Sequence, residues 1–100
     1  MIVGTTPKHT FNLPFKTILI AQVRVVYAQN GTALFTKTKE HCVLEDSTVS
    51  VTLTQEDTFK FDHKSPVEIQ LRILTNDGCA LASIPKKIPV TKCLEDVVIE

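Results

Sequence analysis

Residues 67–75 read VEIQLRILT, and Asn76-Asp77-Gly78 follows directly. Apolar residues alternate with polar ones along most of this segment, which is the two-residue period of a strand with one buried face. Gly and Asn tolerate positive φ and therefore favour a tight turn. The stretch predicts an amphipathic strand that ends in a hairpin turn, with Gly78 at the positive-φ position.

A second hairpin is predicted at Asn30-Gly31. This dipeptide separates residues 22–29 from residues 32–39, and the first of these segments alternates apolar side chains up to Tyr27. Because Asn-Gly suits the two positive-φ positions of a tight hairpin, we expect the two segments to pair antiparallel. Threonine and lysine alternate in the second segment, which indicates a solvated strand near a sheet edge.

Other short segments show the same alternation. A first strand is expected from about His9, with Pro14 ending it or placing it at an edge, and residues 16–22 are expected to contain one helical turn. Pro85 and Pro89 exclude a central strand between them and favour an edge strand that kinks or switches sheets. Further strands are expected at residues 49–53 and 79–84, with a continuation at 90–94 and a turn at 45–47.

These segments make about seven short strands with no amphipathic helix between them, which excludes parallel β-α-β units. The chain is therefore predicted to be all-β: a single antiparallel β-sandwich, immunoglobulin-like, with one short helical turn near residues 54–58. A small barrel is the main alternative. Because the chain has no tryptophan, the antibody Cys-Trp-Cys signature is missing and any likeness is one of architecture. We expect one domain over residues 1–93 and an acidic, apolar tail over residues 94–100.

Two adjacent carboxylates, Glu56 and Asp57, interrupt the alternation in the segment Thr54-Gln55-Glu56-Asp57. A threonine with an acidic residue three places on caps a helical turn, because its hydroxyl accepts an amide hydrogen and the carboxylate favours the positive end of the turn. The alternative is a carboxylate pair for acid–base chemistry, which requires burial or crowding that raises one pKa. Sequence neighbours in a polar connection seldom achieve this, so we favour the turn.

Charge and hydropathy exclude several kinds of partner. Eleven basic and eleven acidic residues cancel, so no long-range field attracts nucleic acid or an anionic membrane. The small basic clusters Lys37-Thr38-Lys39 and Lys86-Lys87 are interpreted as solvated strand faces. No stretch has the apolar length of a membrane span, and the first residues lack a signal-peptide pattern. The protein is expected to bind neither nucleic acid nor membrane and to be made in the cytoplasm.

The three cysteines, Cys42, Cys79 and Cys93, are expected to stay reduced as small buried apolar residues, with a disulfide or a metal role as the alternative. A metal site would have to collect His41, Cys42, His63 and Cys93. However, there is no C-x-x-C pair, and neighbours such as His41 and Cys42 point to opposite faces of a strand. The sequence also lacks a nucleophile elbow and a glycine-rich phosphate loop. No catalytic, cofactor-binding or metal-binding residue is therefore predicted.

The last eight residues, CLEDVVIE, place Leu94, Val97, Val98 and Ile99 among acidic residues. Three behaviours of this tail stay open at this point. It folds back on the edge of its own sheet, adds to the edge of a neighbouring subunit, or is disordered.

Several segments together resemble one protein family. They are GTTPKHTFNLPF, VRVVYAQNG, LTQEDTFKF, VEIQLRILTNDG and KCLEDVVI. They look like a family of small, mostly uncharacterised β-sandwich proteins encoded in prophages and tailed phages of Gram-positive gut bacteria, among tail or other virion genes. The resemblance runs from Gly4 to about Ile99. Phe11-Asn12-Leu13-Pro14 is also similar to the strand that opens the N-terminal sandwich modules of phage baseplate proteins. What this implies is a context, not an activity.

The sequence and the resemblance together lead to an expected function. We expect a structural or interaction protein of a phage or prophage particle, a tail or baseplate component or adaptor that acts through sheet edges and terminal segments. Its partners would be other phage structural proteins and a second copy of itself, with the protein made in the bacterial cytoplasm and carried in the virion. The alternative is a carbohydrate- or cell-surface-binding module, for which Tyr27 is the single tyrosine available. An enzyme using Glu56 and Asp57 or a Cys/His pair is not favoured.

Overall fold

A computed structural model describes residues 1–100, which form eight strands, one short helix and two 3₁₀ turns. The helix α1 is Gln55–Phe59, and the 3₁₀ turns are Thr17–Leu19 and Lys39–His41. The strands are β1 Lys8–Asn12, β2 Ile20–Gln29, β3 Thr32–Thr38, β4 Cys42–Glu45, β5 Thr48–Thr52, β6 Val67–Thr75, β7 Ala80–Ala82 and β8 Lys86–Ile88.

The strands form two antiparallel sheets that pack together as a sandwich. The three-stranded sheet has the order β1-β5-β4. The five-stranded sheet has the order β3-β2-β6, with β7 and β8 both paired to the far side of β6. The prediction of an all-β antiparallel sandwich is confirmed, whereas its immunoglobulin-like character stays a prediction.

Both predicted hairpins are present. Gln29 pairs with Thr32 across a two-residue loop in which Asn30 and Gly31 have φ of 52° and 78°, the positive values that this turn requires. Gly78, with φ of 91°, turns the chain from β6 into β7. The helical turn expected in residues 16–22 is also present, as a 3₁₀ turn.

The core lies between the sheets and consists mainly of inward-facing residues of β2, β5 and β6. β2 and β6 alternate buried and more exposed side chains because successive residues of a strand point to opposite faces. In β5, the central strand of its sheet, the outward-facing Ser50 is buried as well. The buried hydrophobic residues of these strands, with Leu53 directly after β5, are Ile20, Val23, Val25, Tyr27, Val49, Val51, Leu53, Val67, Ile69, Leu71 and Ile73, none more than 6% exposed. Removing these side chains from water is the main favourable contribution to the free energy of folding.

Two parts of the strand prediction are wrong. β4 was not expected, because a four-residue segment is too short to show a period; it pairs with β5 through the expected turn, where Asp46 has φ of 47°. Residues 90–94 do not resume a strand, and only an isolated bridge joins Thr91 to Ile2. The reason is that Ile88 already pairs with Val67, the first residue of β6, so the following residues have no strand beside them.

The edge strand interrupted by prolines is correctly predicted. β7 pairs with residues 72–74 and β8 with residues 67–69, so both lie along the same edge of β6. Pro85 precedes β8 and Pro89 follows it. A proline cannot donate to a ladder and is therefore restricted to such an edge. This broken edge borders the site described below.

Candidate functional site

The acidic segment after β5 forms a capping box at the start of α1. The Thr54 hydroxyl accepts a hydrogen bond from the Asp57 amide at 3.1 Å, and the Thr54 amide donates to Asp57 Oδ2 at 3.0 Å. Two of the amide groups that a helix start leaves unpaired are thus satisfied by one pair of residues. The predicted helical turn near residues 54–58 is confirmed in its position and in its cap.

Asp57 and Glu56 have different surroundings. Asp57 is buried and its Oδ2 lies 2.8 Å from Lys37 Nζ, whereas Glu56 is exposed. Burial alone would raise the pKa of Asp57, but hydrogen bonds from Lys37 and Thr54 outweigh burial and hold that pKa below its usual value. The ionised carboxylate stabilises the ion pair and the helix start. Its lowered pKa is the opposite of the raised pKa that a general acid requires.

Lys37 corrects one expectation about β3. This strand is an edge strand, as predicted, but the Lys37 side chain is only 18% exposed because it turns inward to Asp57. The ion pair connects β3 of the five-stranded sheet to the connection that follows the three-stranded sheet. The interpretation of the whole Lys37-Thr38-Lys39 cluster as a solvated face is therefore wrong at its first residue.

Sequence reasoning missed a polar contact between the two sheets. His9 Nδ1 of β1 lies 2.8 Å from the hydroxyl oxygen of Tyr27 on β2. Burial is the main cause that raises the pKa of Tyr27. Burial is also the main cause that lowers the pKa of His9, and the positive charge of Lys86 is among the further causes. We infer that the Tyr27 hydroxyl donates to a neutral His9. Tyr27 is fully buried, as its inward-facing position predicted, so its ring is not available to stack on a sugar.

The cysteines and the other histidines do not form a cluster. All three cysteines are free; Cys42 and Cys93 are half-buried against the core, but Cys79 is exposed, so the expectation of burial is wrong for Cys79. Burial raises the pKa of the Cys42 thiol, which makes it a weaker nucleophile near neutral pH. His41 and His63 are exposed. The structure brings no three His, Cys, Asp or Glu side chains together in a way that would hold a metal ion.

An open groove of about 720 Å³ lies where the two sheets end on the same side of the sandwich. β1 is the outer strand of one sheet and β7 with β8 is the outer edge of the other, and no ladder joins them. We call this cavity the edge groove. Its floor is Ile69, Leu71 and Ile73; its walls are residues 8–15 on one side and Leu81, Ala82, Ser83, Lys86 and Ile88 on the other.

The lining of the edge groove is mainly apolar. Phe11, Leu13 and Phe15 are half-buried along one wall, and Leu81 of the opposite wall is 46% exposed. Sequence analysis found the strands that form both walls but not the space between them. The signals that point to it are the unpaired edge at Phe11-Asn12-Leu13-Pro14 and the prolines that break the opposite edge.

Residues 94–100, called the acidic tail, contact α1. The Gln55 side-chain amide donates to the Ile99 carbonyl at 2.9 Å, and the Ile99 amide donates to Gln55 Oε1 at 2.8 Å. Of the three behaviours left open, the tail thus folds back on its own domain, but it contacts a helix and not the edge of a sheet. Leu94, Val97 and Ile99 remain 102%, 60% and 81% exposed. The division of the chain into a domain over residues 1–93 and a separate tail over residues 94–100 stays a prediction.

Comparisons with known proteins add no family to this description. No protein-family model, no curated protein and no solved structure matches the chain. The short helices of the structure include none with the length and apolar character that a membrane crossing requires. What the structure offers for function is therefore the edge groove, the acidic tail and the unpaired sheet edges.

Proposed function

We propose that this chain is a structural or interaction protein of a phage or prophage particle, a component or adaptor of the tail or baseplate. It acts through its sheet edges and terminal segments, without catalysis. The context comes from the resemblance of five sequence segments to virion-associated phage proteins. The observation that carries the interaction role is the edge groove, an open cavity of about 720 Å³. Its walls leave Leu81 exposed and Phe11, Leu13 and Phe15 half-buried.

Two further features support an interaction role. The acidic tail leaves Leu94, Val97 and Ile99 exposed, and burying such side chains against another molecule is favourable. The outer strands β1, β3 and β4 and the β7–β8 edge each have one side without a neighbouring strand. Such edges bind other chains by strand addition.

Incorporation into particles tests the proposal. The full chain, carrying an epitope label, is produced in a host during phage induction, and particles are purified on a density gradient and analysed by mass spectrometry. We expect the protein to co-sediment with particles in a fixed ratio to the tail proteins. The Leu81→Asp variant changes a wall of the edge groove, and Ile84→Asp is its matched control.

Ile84 is 89% exposed and does not line the edge groove. We expect Leu81→Asp to reduce incorporation and Ile84→Asp to leave it unchanged. A protein that stays in the soluble fraction, is absent from particles and binds none of the purified virion proteins would refute the proposed function. Equal incorporation of both variants would show that the edge groove is not the surface used.

A further inference from the structure

The lining of the edge groove combines apolar side chains with basic ones. Its floor, Ile69, Leu71 and Ile73, is apolar, and its lining includes Lys8 and Lys86 but no acidic side chain. Apolar contacts would supply most of the binding free energy, and opposite charge at the rim would set specificity and orientation.

The acidic tail has the complementary composition. Its charged residues are Glu95, Asp96 and Glu100, with no basic residue among them. Leu94, Val97 and Ile99 supply the apolar side chains, and all three are more than half exposed. The chain therefore carries both a groove and a segment with the complementary chemistry.

The contact with α1 turns the apolar side chains of the tail away from its own domain. Gln55 bonds both the amide and the carbonyl of Ile99. Val98 is half-buried, whereas its neighbours Val97 and Ile99 are exposed. This is the alternation of an extended segment with one side against its own domain. The other side is left for a different molecule.

The length of the groove wall limits how much of the tail it holds. An extended chain advances about 3.3 Å per residue, so the five residues of β1 span roughly 17 Å. Residues 95–99 of the tail, five residues, have the same extended length. This part of the tail fits along β1.

We infer that the acidic tail of one copy docks in the edge groove of a second copy of this chain. Val97 and Ile99 pack against the exposed Leu81 and the half-buried residues of the groove wall. Glu95, on the same side of the extended tail, faces the rim that carries Lys8 and Lys86. The inference rests on the proposed function in one respect, since it names a second copy as one of the partners. Because groove and tail are different surfaces, the contact is heterologous and leads to a reciprocal dimer, a ring or an open chain.

Self-association of the full-length protein tests the inference. Size-exclusion chromatography with light scattering and sedimentation velocity are run over a range of concentrations on the natural sequence and on three variants. Leu81→Asp changes the groove, Val97→Asp changes the tail, and Ile84→Asp is the control for an exposed apolar residue outside both. All three side chains are exposed, and circular dichroism checks that each variant keeps the strand content of the natural sequence.

We expect the natural sequence and Ile84→Asp to associate equally, and each of the other two variants to associate at least about tenfold more weakly. An equimolar mixture of Leu81→Asp and Val97→Asp should recover a heterodimer. In that mixture the intact tail of one copy meets the intact groove of the other. Recovery by mixing distinguishes a groove–tail contact from a symmetric contact between two like surfaces.

Three results would overturn the inference: a natural sequence that is monomeric at every concentration, association that Ile84→Asp weakens as much as Leu81→Asp, or a mixture that stays monomeric. If the protein is monomeric and still enters particles, the groove–tail inference is refuted and the proposed function stands. If the protein self-associates through groove and tail but never enters particles, the proposed function is refuted and the groove–tail inference stands.

Discussion

Lys37 Nζ lies 2.8 Å from Asp57 Oδ2, and the two side chains are only 18% and 9% exposed. The same carboxylate accepts a hydrogen bond from the Thr54 amide. One ionised group therefore caps the start of α1 and holds β3 of the five-stranded sheet to the connection that follows β5 of the three-stranded sheet. A pair that is largely removed from water depends on both partners, since either one alone is a poorly solvated charge.

Asp57→Asn is expected to lower the free energy of unfolding by about 2 kcal/mol, the usual contribution of a hydrogen bond to a charged group. The substitution keeps the size of the side chain and an oxygen for the Thr54 amide, but it leaves the Lys37 charge without a partner. The matched control is Glu56→Gln, at the exposed neighbouring carboxylate, which should change the free energy by less than about 0.5 kcal/mol. Urea unfolding followed by circular dichroism measures both. Equal effects at the two positions would show that the ion pair contributes nothing.

His9 is expected to make stability dependent on pH. Burial lowers the pKa of His9 below its usual 6.5, so over the interval below 6.5 the unfolded chain binds a proton that the folded protein does not. Stability therefore has its full value above this interval and falls as the pH drops through it. Thermal unfolding of the natural sequence should show this fall, and His9→Gln should flatten it. The exposed His63 provides the control, His63→Gln, and a flattened profile in that variant instead would contradict the assignment.

Gly4→Ala is expected to be more destabilising than Gly78→Ala. Both glycines have positive φ, 79° and 91°, but a Cβ at Gly4 would lie 2.7 Å from Cζ of Phe59, whereas nothing lies within 4 Å of one at Gly78. Gly78→Ala thus reports the backbone cost alone, about 1 kcal/mol. Gly4→Ala adds the displacement of the Phe59 ring, which packs against the core. Chemical unfolding of the two variants gives the difference, and equal losses would show that the Phe59 ring moves aside without cost.

Gln55→Ala is expected to release the acidic tail without unfolding the sandwich. The Gln55 side chain makes both hydrogen bonds to the backbone of Ile99, and the substitution removes both. Hydrogen exchange at the Ile99 amide should become faster, whereas exchange in β2 and β6 should stay as it is. Gln22→Ala, at an exposed glutamine of β2, is the control. Unchanged exchange at Ile99 would mean that the tail is held by other contacts.

The strands could be predicted where the signals are local. β6 alternates over nine residues, and Asn30-Gly31 predicts a tight hairpin turn. Both hairpins and the sandwich class therefore follow from the sequence. The cap at Thr54 and Asp57 was also predictable because its two residues lie three apart. β4 was not, since four residues contain too few alternations to be recognised.

The candidate site could be predicted only in part. The exposed apolar residues of the tail are visible in the sequence, but the edge groove is not, because a groove is the gap between two sheets and belongs to no single segment. Gln29 illustrates the same limit: its amide donates to the carbonyls of Asp62 and Ser65. In the sequence, Gln29 is a polar residue beside a hairpin turn, and nothing near it in the chain points to Asp62 or Ser65.

By itself, the sequence determined that the chain is all-β, where its hairpins turn, and that the acidic segment starts a helix, because side-chain alternation, positive φ and capping act between residues a few positions apart. Only the tertiary structure decided that Lys37 meets Asp57, that His9 meets Tyr27, and that the edge groove stays open. These residues come together when the two sheets stack, and the free energy that drives stacking, the burial of apolar surface, has no direction that a short stretch of sequence could reveal.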